Sequence, residues 1–139
     1  MVPDGIRVEL QEDTELPVEV AAYHIHFFTP EYDELLDWYI ETFGLVRFER
    51  GTIATTANAP GLNLSFGNSE TSRTATRGTA IDHIGFEIDN LEAFCRKLEL
   101  QGIEFEVPFR DVPSIGLKIA FLVDPAGVRV ELTEGYDEY

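Results

Sequence analysis

The chain repeats itself, and that repetition limits the possible folds more than any other feature of the sequence. Tyr23-His24-Ile25-His26-Phe27 aligns with Asp82-His83-Ile84-Gly85-Phe86. Phe43-Gly44-Leu45 aligns with Gln101-Gly102-Ile103, and Ala59–Phe66 (APGLNLSF) aligns with Pro125–Leu132 (PAGVRVEL). The spacing between matching segments drifts, as loop insertions make it drift, but their order is kept. Between the copies, Gly67–Thr79 (GNSETSRTATRGT) has no large apolar side chain and reads as a linker. The expected organisation is an acidic N-terminal extension at 1–19, a single domain at 20–134 and an acidic tail at 135–139. The domain comprises module one (20–66), the linker (67–79) and module two (80–134). A chain of 139 residues, 44% of them hydrophobic, can bury a core without disulfide or metal staples.

Each module reads as a strand, a helix, then further strands, which makes the class α+β. In module one Ala22–Phe28 is the first strand, and Thr29-Pro30-Glu31 opens a helix with Thr29 as N-cap and Pro30 at its first position. Leu35, Leu36, Tyr39, Ile40 and Phe43 form one apolar stripe, and Gly44 stops the helix. Strands follow at Arg47–Ala54 and Leu62–Phe66, with a weaker one around Thr55–Ala57. In module two Ile81–Ile88 is a strand, and Asp89-Asn90-Leu91-Glu92 has capping-box spacing. Leu91, Phe94, Cys95 and Leu98 form the helix stripe, ended by Gly102. Strands at Glu104–Val107, Leu117–Val123 and Val128–Thr133 complete it, the last two joined by a type I turn at Asp124-Pro125-Ala126-Gly127. Val107–Ser114, with Pro108 and Pro113, reads as a stiff loop, and alternation at Ile6, Val8 and Leu10 suggests an extra strand.

Charge narrows the function classes. There are 26 acidic against 10 basic residues, a net charge of −16, and such a surface repels phosphate backbones and anionic lipid. Nucleic-acid and membrane roles are therefore not expected. Much of the acid sits near the ends (Asp4, Glu9, Glu12, Asp13, Glu15, Glu19, then Glu134, Asp137 and Glu138), where solvation explains it. No apolar run approaches the length of a membrane span, and the N-terminus lacks a signal-peptide pattern. A lone cysteine, Cys95, has no internal partner, and on an apolar helix face it reads as a packed thiol. Cytoplasm is the expected location.

Strand alternation decides which side chains share a face. Tyr23, Ile25 and Phe27 point one way and His24, His26 and Phe28 the other. Ile84, Phe86 and Ile88 oppose His83, Gly85 and Glu87, while Val128, Val130 and Leu132 oppose Arg129, Glu131 and Thr133. Leu62, Leu64 and Phe66 leave Asn63 and Ser65. Two histidines, His24 and His83, hold the same register in the two copies, and Glu131 lies at the matching place in the closing strand. Two imidazoles and one carboxylate make a facial set suited to Fe(II), Mn(II), Ni(II) or Zn(II), with positions left open. The alternative is a pair of ordinary polar residues on a half-solvated sheet. His26 competes with His24 as ligand, or serves as its neighbour or a substrate contact.

These segments together resemble the glyoxalase / bleomycin-resistance / extradiol-dioxygenase (vicinal oxygen chelate) superfamily. The resemblance rests on the His-Ile-x-Phe strand starts, Trp38-Tyr39 leading to Phe43-Gly44-Leu45, Asp82–Phe86, and Asp124–Gly127 followed by Val130-Glu131-Leu132. It implies two paired βαβββ modules in a cupped, mainly antiparallel sheet around one divalent metal ion, in a homodimer. The superfamily's metal positions fall on His24, Ser65, His83 and Glu131. Ser65 departs from the Glu or Gln usual in glyoxalase I members, which leaves His24, His83 and Glu131 as the expected metal ligands. The implied function is a metal-dependent lyase or isomerase of a small oxygen-chelating carbonyl or hydroxy compound. An extradiol-type dioxygenase and a metal-free, bleomycin-resistance-like binding protein are the alternatives.

Within that scheme the expected catalytic residues are Glu131, His26 and Glu87, the last two as inward groups able to move a proton. Phe28, Ser65, Phe109, Arg110 and Arg129 are expected to contact substrate. Arg129 would meet an anionic group or pair with Glu131. Phe109 and Arg110 lie on the segment Val107–Gly116, which is expected to wall the site and set specificity. Trp38 and Tyr39 lie on a helix, so core packing accounts for them.

Overall fold

The doubled sequence folds as two βαβββ units, residues 1–70 and residues 71–139, and the computed structural model describes residues 6–136. Asp4, Asp137 and Glu138 of the acidic ends lie outside the described residues. Unit one runs β1 (His24–Phe28), α1 (Tyr32–Phe43), β2 (Val46–Arg50), β3 (Ile53–Ala59) and β4 (Leu62–Gly67). Unit two repeats the order with β5 (Ile84–Glu87), α2 (Leu91–Leu100), β6 (Phe105–Val112), β7 (Leu117–Val123) and β8 (Arg129–Glu134). Each unit has its own four-stranded sheet, ordered β1-β4-β3-β2 and β5-β8-β7-β6. The first strand of each pairs parallel with the last, and every other pairing is antiparallel. The expected α+β class with paired βαβββ units is what forms. No helix among the described residues is long and apolar enough to cross a membrane.

The cores follow from the two periodicities. In unit one Leu35, Leu36 and Tyr39 of α1 are buried, and the Tyr39 ring packs 5.1 Å from Phe27, which stacks on Phe66 at 5.0 Å. In unit two Leu91, Cys95 and Leu98 of α2 are buried, as are Val130 and Leu132 of β8. Gly44 ends α1 in the left-handed region (φ +68°), its N–H donating to the Ile40 carbonyl at 2.9 Å.

Several local expectations are corrected. Helix α1 begins after Glu31, so Thr29 and Pro30 are not its cap and first residue. The Thr29 N–H donates to the Gly67 carbonyl at 3.2 Å and its carbonyl accepts from Ser69 at 3.3 Å, which ties Thr29 to the end of the sheet instead. In α2 the cap is Asn90, whose side chain accepts from the Ala93 N–H at 3.4 Å, and not Asp89. The expected strand Arg47–Ala54 is broken by a turn at Gly51 (φ +59°), which makes a β2–β3 hairpin and extends the weaker strand into β3. Strands β1 and β5 are shorter than read, starting at His24 and Ile84.

Two corrections touch proposed functional segments. Residues 107–112 are not loop: β6 continues to Val112, and the connection to β7 shrinks to the turn around Pro113–Gly116. Pro108 is tolerated because β6 is the outer strand of its sheet and its register shifts between Val107 and Arg110, across the proline. The alternating Ile6–Leu10 segment is not a strand. Val8 is 61% and Leu10 91% exposed, so the alternation meets no sheet, and Glu9 is what engages unit one.

Candidate functional site

The register of the parallel pairs places the candidate residues. In unit two Gly85 lies opposite Glu131 and Ile84 opposite Val130, with His83 at the mouth of β5. His83 therefore lies diagonally across from Glu131, and its Nε2 stands 3.0 Å from the Glu131 carboxylate. Its other nitrogen, Nδ1, is 2.9 Å from the Asp82 carboxylate. Both nitrogens of His83 therefore face a carboxylate, Asp82 at Nδ1 and Glu131 at Nε2.

Asp82 is itself held from several directions. Its carboxylate accepts the Gly78 N–H at 2.6 Å, the His83 ring N–H and an Arg129 N–H at 2.9 Å, and these bonds hold its carboxyl well below the usual carboxylate range. Arg129 also donates twice to Glu106, at 2.9 and 3.1 Å, and its guanidinium lies 4.0 Å from the Phe121 ring centroid. Burial opposes the Arg129 charge, but its bonds to Asp82 and Glu106 outweigh that and raise its pKa. Arg129 pairs with these two carboxylates and not with Glu131.

His83 and Glu131 are the two side chains able to ligate a metal that unit two brings together, 3.0 Å apart, which is also the distance of an ordinary ion pair. Asp82 holds the His83 ring at Nδ1 and leaves Nε2 facing Glu131.

Unit one has the same frame with different chemistry. Ile25 lies opposite Leu64 and His26 opposite Ser65, so His24 matches His83 and Ser65 matches Glu131. Ser65 is fully buried and its hydroxyl donates to the Asn63 side chain at 3.0 Å, directed along its own strand. The His24 side chain is 8% exposed, its Nδ1 lies 2.9 Å from an Arg50 guanidinium nitrogen, and its Nε2 lies 3.4 Å from a Glu9 carboxylate oxygen. The same oxygen is 3.7 Å from His26 Nε2, and Glu9, His24 and His26 form a group able to hold a metal ion. Burial, then the neighbouring His24, lower the His26 pKa, and the His26 ring stacks on Phe28.

The structure thus brings His83 and Glu131 together in unit two, and His24 and His26 together in unit one. Glu87 is occupied: one oxygen accepts from the Thr133 hydroxyl at 2.7 Å, the other from the Gly135 and Tyr136 N–H groups at 2.7 and 3.0 Å. Phe109 is half-buried and Arg110 exposed, both on β6. Asp82, Arg50 and Glu9 were not picked out as site residues in the sequence. Asp82 left a trace, since it stands in the second copy where Tyr23 stands in the first; Arg50 and Glu9 left none.

Comparison with known proteins agrees with the fold. No curated protein sequence matches the chain significantly. Among solved structures, a Bacillus anthracis protein described as glyoxalase family is 18% identical, covering 94% of this chain and 99% of its own, with a TM-score of 0.65. A glyoxalase family protein from Enterococcus faecalis is 23% identical over 84% of this chain and 96% of its own (TM-score 0.59). Lactoylglutathione lyase from Agrobacterium tumefaciens is 21% identical over 86% and 96% (TM-score 0.58). At these identities the likeness is one of fold. The profile of one family matches residues 22–132, which is most of the chain and both repeats. The chain belongs to the Glyoxalase/Bleomycin resistance protein/Dioxygenase superfamily.

Proposed function

We propose that this chain is a divalent-metal-dependent enzyme, a lyase or isomerase acting on a small compound that offers two neighbouring oxygens. The observation that carries the reading is the line Asp82–His83–Glu131, with contacts of 2.9 and 3.0 Å. His83 and Glu131 are the proposed ligands in unit two, and His24 is the proposed ligand in unit one. Bound Fe(II), Mn(II), Ni(II) or Zn(II) would supply Lewis-acid stabilisation of an enolate or oxyanion. Asp82 holds the His83 ring at Nδ1 and Arg129 keeps Asp82 in place. His26 is the remaining imidazole for proton movement, with Phe28 stacked on it as an apolar wall.

Metal analysis of untagged protein tests this. The wild type should carry about one ion per chain and the His83→Ala/Glu131→Ala double variant almost none; equal, negligible metal in both would remove the proposal. A metal-free sequestering protein is the second reading, favoured by the Arg50 contact that takes up His24 Nδ1. It requires ligand affinity that chelators leave unchanged. Small molecules are the proposed partners in either case.

A further inference from the structure

The carboxylate of Glu9 lies among side chains of the opposite kind. One of its oxygens is 3.4 Å from His24 Nε2 and 3.7 Å from His26 Nε2. Arg50 stands on the other side of His24, a guanidinium nitrogen 2.9 Å from Nδ1, and Arg50 and Arg7 are both near enough for their charges to act on His26. The chain has 10 basic residues against 26 acidic ones, so two arginines and two imidazoles gathered in one place reverse its overall charge locally. Aromatic rings extend the row at both ends. Tyr23 lies edge-on to His24 at 5.1 Å with Arg50 over its face at 5.5 Å, and Phe28 stacks on His26 at 5.7 Å. Both rings are exposed, so they offer apolar surface beside the charged groups.

We propose, resting on the metal-free reading above, that unit one binds a small carboxylic acid with a flat apolar body, and that Glu9 is a built-in occupant which this ligand displaces. A carboxylate offers only acceptors, and guanidinium and imidazole N–H groups are its usual partners. Tyr23 and Phe28 flank those groups as apolar walls, the combination that small-molecule sites commonly use. Glu9 is suited to yield its place. It lies ahead of the residues matched by the superfamily profile, on a segment without regular secondary structure, and its side chain is half-exposed. Val8 and Leu10 beside it are largely exposed, so their packing does not hold the segment down. Half-exposed ion pairs at 3.4 and 3.7 Å are weak. A free carboxylate whose ring adds stacking contacts can therefore replace the tethered one.

Calorimetric titration of the full-length protein with benzoate, in the presence of a chelator, tests the site. Glu9→Ala should bind benzoate about five-fold more tightly than wild type, because the wild-type site is open only part of the time. Adding Arg50→Met to Glu9→Ala should weaken benzoate binding by about ten-fold or more. Benzamide, the same ring without the charge, should bind wild type and Glu9→Ala alike. In Glu9→Ala, benzoate should shift the ring signals of His24 and His26 in nuclear magnetic resonance spectra. An equal gain for benzamide, or His24 and His26 signals that benzoate leaves unmoved, overturns the inference. If Glu9→Ala binds benzoate only after zinc replaces the chelator, the metal-free reading fails. If it binds benzoate no better than wild type in either condition, the carboxylate site fails.

Discussion

The Nδ1 nitrogen of His83 donates to the carboxylate of Asp82 at 2.9 Å, two residues adjacent in sequence whose contact decides which ring nitrogen faces Glu131. Removing that acceptor frees the ring to rotate and to change tautomer. Asp82→Ala should therefore lower metal affinity by about 10- to 100-fold, the usual cost of losing a carboxylate behind a ligating histidine. Asp82→Asn, which keeps an oxygen acceptor, should recover part of it. Competitive zinc titration reads both, and equal affinity for wild type and Asp82→Ala would show that the pair does not tune the site.

Cys95 is packed into the core of unit two, and burial, with the nearby Glu99, pushes its thiol pKa up to about 11. The thiolate is then scarce at neutral pH and the sulfur shielded, so a thiol reagent should label native protein slowly and unfolded protein fast. Rapid labelling under native conditions would contradict this packing.

Glu134 joins three elements: one carboxylate oxygen pairs with Lys118 of β7, and the other accepts the Leu91 N–H at the start of α2 at 2.8 Å. The Lys118 pairing, then the helix N–H, lower its pKa. A carboxyl whose pKa is lowered by folding stabilises the protein above the ordinary carboxylate pKa of about 4.3, and that contribution disappears as pH falls through its folded value. Glu134→Gln should therefore be less stable than wild type at neutral pH, and the gap should close in acid. Urea midpoints across pH check this, and a gap that widens in acid would reverse the assignment.

Leu98 is fully buried where α2 meets its sheet. Leu98→Ala should cost about 2–5 kcal/mol by the lost transfer energy and the cavity left behind. Chemical denaturation should register the loss, and a cost below about 1 kcal/mol would mean the helix does not pack as described.

The outer strands of the two sheets, β1 and β2 in one and β5 and β6 in the other, each lack a partner on one side within their own unit. Open edges are usually covered or paired, and a homodimer is the expected solution state. Light scattering should give twice the chain mass at working concentration, and a monomeric mass would count against it.

The sequence alone determined the architecture. Alternation at Ile25 and Phe27 or Val130 and Leu132, the apolar stripes of both helices and the stop at Gly44 are local signals with periods of 2 and 3.6, and burial acts on each directly. The repeat also placed His24 and His83 in one register, with Ser65 standing where Glu131 stands. Local signals failed where the sheet overruled them. Pro108 reads as loop, yet an outer strand accepts a residue without an N–H; Ile6–Leu10 reads as strand, yet no sheet edge receives it.

What only the tertiary structure decided is which charged groups each histidine meets. Arg50 reaches His24 across 26 positions of chain and Arg129 reaches Asp82 across 47, while Glu9 arrives from an irregular segment. Such contacts are made by single long charged side chains, which carry no periodic signal and are set by where strands end and how they pair. The same imidazole in the same register meets a carboxylate at Nδ1 in one copy and a guanidinium in the other.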